Sequence, residues 1–189
     1  MKYFFTLFIS IILFGCTANK TTVEAERHAP KFIEKPFPQN WYGKWKGTLV
    51  IYNNQGKAQE IPMEIHVEPT DSTHRHQMAL VYGEGEKQDI RPYELIAIDS
   101  KNGHYKTDEK NTIYLDDYYF EGVLYARFEV MGNLLLTRIE KRNDKLYFEV
   151  ISGKLKPIAT TGDDAENDIP PVNSYKITVS QRAELTKYE

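Results

Sequence analysis

Apolar and polar residues alternate along most of the chain after residue 40. In the clearest stretch, Ile61, Met63, Ile65 and Val67 are separated by mainly polar residues. A period of two residues predicts a β-strand with one buried face. The same reasoning predicts further strands over residues 41–51, 78–82, 90–99, 104–106, 112–115, 123–131, 134–141, 146–150 and 175–179.

Strands in this number, joined by short turns, predict an all-β fold. We expect an antiparallel up-and-down β-barrel of about 8–10 strands, with a β-sandwich as the alternative. Because proline cannot donate to a ladder, Pro62 and Pro92 place the starts of their strands at an edge or a bend. Residues 181–188, after the last strand, are predicted to form a short helix.

The N-terminal residues follow a different pattern. Lys2 precedes an apolar run that ends in Leu13-Phe14-Gly15-Cys16. The run is shorter than the roughly 20 residues of a membrane-spanning helix and fits the apolar region of a signal peptide. Its last four residues resemble a bacterial lipobox. The resemblance implies cleavage before Cys16 and acylation of that residue, palmitate included, which would anchor the chain to a membrane.

Three segments are therefore expected: a signal peptide over 1–15, a lipidated flexible tether over 16–40 and one barrel domain over 41–189. The tether contains Pro30, Pro36 and Pro38 and shows no period. In the alternative, Phe32, Ile33 and Phe37 pack on the domain. Thr17, and no Asp, follows the cysteine. By resemblance to enterobacterial sorting, this implies the outer membrane, with the domain on its periplasmic or its outer surface. An ordinary secreted protein with a chance cysteine remains the alternative.

Composition narrows the function without identifying it. Lys and Arg number 24 against 27 Asp and Glu, a net charge of −3, which argues against a nucleic-acid partner. The single cysteine excludes an internal disulfide and a thiolate zinc cluster. Hydrolase, phosphate-loop and HExxH motifs are absent from the sequence. We therefore expect no enzyme activity, no metal site and no resident cofactor.

The first strand carries Trp41-Tyr42-Gly43-Lys44-Trp45-Lys46-Gly47. Gly43, Trp45 and Gly47 resemble the start of the calycin barrels, which include the lipocalins, fatty-acid-binding proteins and avidins. The resemblance implies that Trp45 plugs one end of the barrel beneath a cation, for which Arg138 and Arg182 are candidates. Two core tryptophans in another β-sandwich are the alternative.

Two calycin ligands are disfavoured by the residues themselves. Both tryptophans lie in the first strand, whereas avidin-type biotin sites use tryptophans from several strands. The last histidine is His104, so the late inward histidine of a nitrobindin-like haem barrel is missing.

A ligand cavity is the functional expectation. His76, Met78, Leu80 and Tyr82 are in phase on one strand and are predicted to face it. Arg138 faces it too if Leu134 and Leu136 do, and would then bind a ligand carboxylate; if Leu135 and Ile139 face inward, Arg138 is on the surface. We predict a membrane-anchored carrier of a small, mostly apolar ligand. The alternative is a lipoprotein that presents tyrosines to a protein or glycan partner, namely Tyr42, Tyr52, Tyr114, Tyr118 and Tyr125.

Other polar clusters are weaker candidates. His74 and His76 are spaced to share a metal on one strand face, but no third ligand is evident. The acidic segment 163–168 lacks the EF-hand spacing and is expected to be a solvated loop. Asp116-Asp117 is interpreted as a turn.

Overall fold

The computed structural model describes residues 36–189, so the predicted signal peptide, Cys16 and most of the tether lie outside the described residues. Ten strands follow one another along the described chain. They are β1 (Gly43–Asn53), β2 (Gly56–Pro69), β3 (Arg75–Tyr82), β4 (Asp89–Asp99), β5 (His104–Asp108), β6 (Tyr114–Phe120), β7 (Val123–Val130), β8 (Asn133–Arg142), β9 (Lys145–Thr161) and β10 (Val172–Lys187). Four 3₁₀ helices of three residues each complete the described elements, at Gln39–Trp41, Gly85–Lys87, Ser100–Asn102 and Ala165–Asn167.

Every strand pairs antiparallel with its neighbours in sequence, and β1 pairs with β10 to close the sheet. The prediction of an all-β, up-and-down barrel is therefore confirmed. Within residues 36–189, none of the helices has the length and apolar character needed to cross a membrane.

The predicted C-terminal helix is wrong. Residues 181–187 belong to β10, where Gln181, Ala183 and Leu185 pair with both β9 and β1. Ala183 and Leu185 are buried, whereas Arg182 and Glu184, which alternate with them, are exposed. A segment of helix-forming residues thus adopts the strand conformation, because pairing with two neighbours outweighs its local preference.

Pro62 lies inside β2 rather than at its start, opposite Thr48 of β1. On the other side, pairing with β3 stops at Met63 opposite Tyr82. The backbone N–H of Gly83, just past β3, donates to the carbonyl oxygen of Pro62 at 2.8 Å. The missing N–H of the proline therefore falls where the neighbouring strand has ended, so it costs no ladder hydrogen bond.

Closure of the barrel depends on a close approach at Gly47. This residue stands opposite Leu185 of β10, and a Cβ atom here would overlap the backbone carbonyl oxygen of Glu184. Gly43 has a φ of +125°, a conformation that side chains other than glycine rarely adopt. Both glycines of the Gly43-x-Trp45-x-Gly47 signature therefore have a backbone role.

The closure predicts the effect of a methyl group at Gly47. We expect Gly47→Ala to lower the free energy of unfolding by about 1–3 kcal/mol, because the backbone of β10 must move away from β1. Urea unfolding of the purified protein measures the change. Thr48→Ala, at the next and exposed position of the same strand, is the control and should change stability by no more than about 0.5 kcal/mol. Equal stability of Gly47→Ala and wild type would contradict the role assigned to this approach.

Candidate functional site

An aromatic cluster closes one end of the barrel. The ring of Phe37 stacks on Tyr119 with centroids 4.1 Å apart, and meets Trp41 and Tyr105 edge-on at 4.7 and 4.9 Å. Trp45 is 2% exposed and donates its indole N–H to the carbonyl oxygen of Trp41 at 2.8 Å. The segment before β1 thus completes the plug. Phe37 packs on the domain, as in the alternative to a wholly flexible tether, whereas Phe32 and Ile33 lie outside the described residues.

The cation beside Trp45 comes from the end of β10. The Lys187 ammonium lies 5.6 Å from the ring centroid of Trp45 and also donates to the carbonyl oxygen of Tyr42 at 2.6 Å. The two predicted cations are wrong: Arg182 lies over the ring of Tyr52 at 4.7 Å, and Arg138 is on the outer surface. Lys187 lay within the residues predicted as a helix, so its position was not recognised.

Beyond the plug, the barrel encloses a cavity of about 310 Å³. Most of its wall is apolar and comes from inward positions of β3, β7, β8 and β9. Examples are Met78, Leu80, Leu124, Phe128, Leu135 and Phe148. Because adjacent residues of a strand point to opposite faces, the alternation seen in the sequence directly produces this lining.

Tyr82, Arg91, Tyr93 and Glu109 lie where the cavity approaches solvent. The guanidinium of Arg91 is 5.1 Å from the ring centroid of Tyr82 and donates to Asp89 at 3.0 Å. More than half of the Arg91 side chain is exposed. Burial raises the pKa of Tyr82 to about 12, so its hydroxyl is a neutral donor and acceptor at physiological pH. This end combines a cation with neutral hydroxyl groups and leads into the apolar interior.

A carboxyl group lies on the wall of the cavity itself. Asp117 on β6 is 4% exposed, and the hydroxyl of Thr107 on β5 donates to its Oδ2 at 2.5 Å. Burial raises the pKa of Asp117 to about 6, against the lowering effect of this hydrogen bond. The carboxyl group is therefore held in an environment that disfavours its charged form.

The interpretation of Asp116-Asp117 as a turn is wrong, because both residues lie within β6. Asp116 points outward, where its Oδ1 pairs with Nε2 of His104 at 2.8 Å. Asp117 is in phase with Leu115, which also lines the cavity, and with Tyr119 of the plug. That alternation was the available sequence signal for an inward carboxyl group.

The predicted residues of β3 divide between two places. Met78, Leu80 and Tyr82 line the cavity. His76 is 2% exposed but lies nearer the plugged end, where a 2.7 Å hydrogen bond joins its Nδ1 to the hydroxyl of Tyr42. Burial, and to a lesser extent His74, lower the pKa of His76. We find His76 in the packed part of the barrel, not on the cavity wall as predicted.

Arg138 does not face the cavity. Leu135, Thr137 and Ile139 of β8 line it, so Arg138 between them points outward. There its guanidinium pairs with Glu140 at 2.5 Å. The prediction that Arg138 binds a ligand carboxylate inside the barrel is therefore wrong, and the surface alternative holds.

The remaining polar candidates do not converge on one site. Across residues 36–189, no group of three or more His, Cys, Asp or Glu side chains is arranged to hold a metal ion. His74 is exposed while His76 is buried. In the acidic segment, Asp164 accepts hydrogen bonds from the backbone of Glu166 and Asn167, which organises the loop itself.

The five tyrosines of the partner-binding alternative do not form one surface. Tyr118 and Tyr125 face each other across β6 and β7, beside the exposed ring of Phe120. Tyr42 is bonded to His76, and Tyr52 lies beneath Arg182. Only part of the set is therefore presented together.

Burial of Asp117 predicts a dependence of stability on pH. The unfolded chain has an aspartate pKa of about 3.9, so the folded protein binds this proton more tightly. The unfavourable contribution of Asp117 then grows as pH rises from about 4 to 6 and stays constant above. We expect Asp117→Asn to raise the free energy of unfolding by about 2 kcal/mol near neutral pH, and by almost nothing near pH 3.5.

Urea unfolding over this pH range tests the expectation, with Asp116→Asn as the matched control. The pKa of Asp116 is lowered, chiefly by its hydrogen bond with His104. Losing that carboxylate should leave stability near neutral pH unchanged or lower. A stabilising effect of both substitutions, or of neither, would contradict the assignment of Asp117 to a buried position.

No protein-family model matches this sequence, and no curated protein matches it. Solved structures do resemble the fold. An S-type phycobiliprotein lyase from Guillardia theta superposes with a TM-score of 0.51 at 10% identity, covering 78% of this chain and 89% of that one. A protein of unknown function from the DUF3598 family of Nostoc punctiforme superposes with a TM-score of 0.50 at 11% identity.

The second match covers 77% of this chain and 47% of the Nostoc protein. At such identities the likeness shows a shared fold alone. It nevertheless overturns the expectation that the chain is not an enzyme, which rested on missing motifs, because a barrel of the same fold is a lyase in Guillardia theta. The chain is thus similar in fold to an S-type phycobiliprotein lyase and to a DUF3598 protein.

Proposed function

We propose that this protein binds a small, mostly apolar molecule inside its barrel. The observation that carries the proposal is the cavity of about 310 Å³, walled by apolar side chains with a few polar groups among them. Protein interiors are normally packed with few voids larger than a water molecule. A space of this size and lining has the character of a ligand pocket, at the small end of the usual range.

The proposal includes a lipid anchor at Cys16. The support is the Leu13-Phe14-Gly15-Cys16 sequence behind an apolar run. The acylated cysteine would hold the barrel at a membrane of the cell envelope, with the outer membrane favoured by the residue that follows it. Residues 17–35 then connect the anchor to the described domain.

The fold shared with the phycobiliprotein lyase adds a second property to test. A barrel of this fold is able to catalyse a reaction as well as to bind a molecule. The mass of the bound ligand is therefore measured directly after purification and again after the released ligand has been incubated with the protein. A difference between the two masses would record a chemical change.

Filling the cavity should prevent ligand binding. Ala126 of β7 lies on the cavity wall, opposite Asp117 of β6 and Thr137 of β8. We expect Ala126→Phe to occupy the space and to lower the amount of bound ligand at least about tenfold. The full-length protein is purified from its own host, and native mass spectrometry is compared with the mass after denaturation.

The matched control is Ala159→Phe, the same substitution at an exposed position of β9. It should retain the ligand at the wild-type level, and thermal unfolding should show that both variants are folded. A wild-type protein that carries no molecule, and that gains no thermal stability from a lipid and haem panel, would refute ligand binding.

The anchor is tested separately. We expect Cys16→Ser to abolish incorporation of a labelled palmitate analogue and to move the protein from the membrane fraction to the soluble fraction, because a lone cysteine is the proposed acylation site. Thr17→Ser, a conservative change beside it, should leave both properties unchanged. Membrane retention and labelling of Cys16→Ser would disprove the anchor without affecting the cavity proposal.

A further inference from the structure

Asp117 is the most deeply placed charged group on the cavity wall. It is 4% exposed, and its Oδ2 accepts a hydrogen bond from Thr107 at 2.5 Å. The backbone of β6 places it between Leu115 and Tyr119 on the inner face, and Ala126 is its neighbour on β7. Both Asp117 and the small side chain of Ala126 line the cavity.

The ionisable groups around Asp117 leave it without a counter-ion. Those that share the cavity are Tyr82, Arg91, Tyr93 and Glu109. On the outer face of the sheet, Asp116 and His104 pair with each other; Asp116 raises the pKa of Asp117 and His104 lowers it.

Arg91, the cation among the cavity-lining residues, is engaged elsewhere. It donates to Asp89 and stacks on Tyr82 at the exposed end of the cavity. The ion pairs formed by Arg75, Arg91, His104 and Lys106 do not include Asp117.

An ionised carboxylate in an apolar cavity is costly unless a positive partner meets it. The hydroxyl of Thr107 donates one hydrogen bond to Oδ2 of Asp117, so this hydroxyl has no further proton to donate. A backbone hydrogen bond from Thr107 also favours the carboxylate, and neither of the two Thr107 contacts brings a positive charge. A ligand carboxylate placed beside Asp117 would be repelled by its charge.

We propose that Asp117 is the polar anchor of the cavity and that the ligand carries a positively charged nitrogen, an amine or a protonated heterocycle, joined to an apolar body. The nitrogen pairs with the Asp117 carboxylate beside Thr107, and the apolar body contacts the leucine, methionine and phenylalanine side chains of the wall. This inference rests on the proposed function and adds the chemical class of the ligand.

Raised proton affinity at Asp117 gives the interaction a pH dependence. The pKa of about 6 means that the carboxylate becomes fully available only above that value. Affinity for a cationic ligand therefore rises as pH increases from about 5 to 7, whereas affinity for an uncharged ligand of the same size stays level.

Three probes with the same chain length test the proposal on the full-length wild-type protein. They are n-decylamine, n-decanol and n-decanoate, measured by isothermal titration calorimetry at pH 7.5. We expect decylamine to bind about tenfold to a hundredfold more tightly than decanol, and decanoate more weakly than both. Equal binding of decylamine and decanol, or tightest binding of decanoate, would overturn the assignment.

The variants Asp117→Asn and Asp116→Asn make the same chemical change on opposite faces of β6. Asp117→Asn should remove the preference for decylamine and its pH dependence, while decanol binding stays within about twofold. Asp116→Asn should keep the preference for decylamine and a pH dependence, which shifts slightly to lower pH because Asp116 raises the pKa of Asp117. Retention of the preference in Asp117→Asn, or its loss in Asp116→Asn, would assign the effect to surface charge instead.

The outcomes distinguish the cationic ligand from the more general proposal that the cavity binds a ligand. If decanol binds the wild type and is excluded by Ala126→Phe, the cavity is a ligand site whatever decylamine does. If decanol binds but decylamine gains nothing, the cationic ligand alone is refuted. If no probe binds at any pH from 5 to 7.5, both proposals fail. The wild-type comparison needs no variant, so it decides the matter even if Asp117→Asn does not fold.

Discussion

The hydrogen-bonded seam between the first and last strands determines the rest of this structure. It runs from Trp45 opposite Lys187 to Asn53 opposite Val179. Because side chains alternate between the two faces of a strand, a shift of one residue along this seam would exchange every inward side chain of β1 for an outward one. The close approach at Gly47 fixes the seam sterically. Which residues reach the cavity is therefore a consequence of how the barrel closes.

Closure also divides the interior into two parts of different character. Near the start of β1, large aromatic residues fill the barrel, and Phe37 and Trp41 from the preceding segment complete the packing. Toward the other end, smaller side chains such as Ala126 and Thr137 line the wall, and a cavity remains. Asp117 lies on the wall of this second part, buried and hydrogen-bonded to Thr107. The same fold thus provides a rigid base and an accessible pocket.

Strand order and the barrel class could be predicted from alternation, because each strand has one face in the core. Arg138 could not be oriented in this way, since Leu134, Leu135 and Leu136 offer an apolar residue to both faces. Residues 181–187 are rich in helix-forming side chains, and only pairing with β1 and β9 makes them a strand. Asp117 resembles part of a polar turn, because Asp116 beside it makes two consecutive acidic residues, and the pairing with β5 and β7 decides which of the two faces inward. The alternation of apolar and polar residues therefore predicts the strands of the barrel wall, and the pairing between strands decides which polar side chains face the cavity.

The aromatic plug has a kinetic consequence for any molecule that occupies the barrel. With one end of the described barrel packed by Phe37, Trp41 and Trp45, entry and departure both use the end away from this plug. An incoming molecule cannot push the resident one out through the far side, so replacement requires an empty intermediate. The exchange rate is then limited by spontaneous departure and becomes independent of the concentration of the incoming molecule once that concentration is high. The residence time of a bound molecule in such a barrel is therefore set by its own dissociation rate.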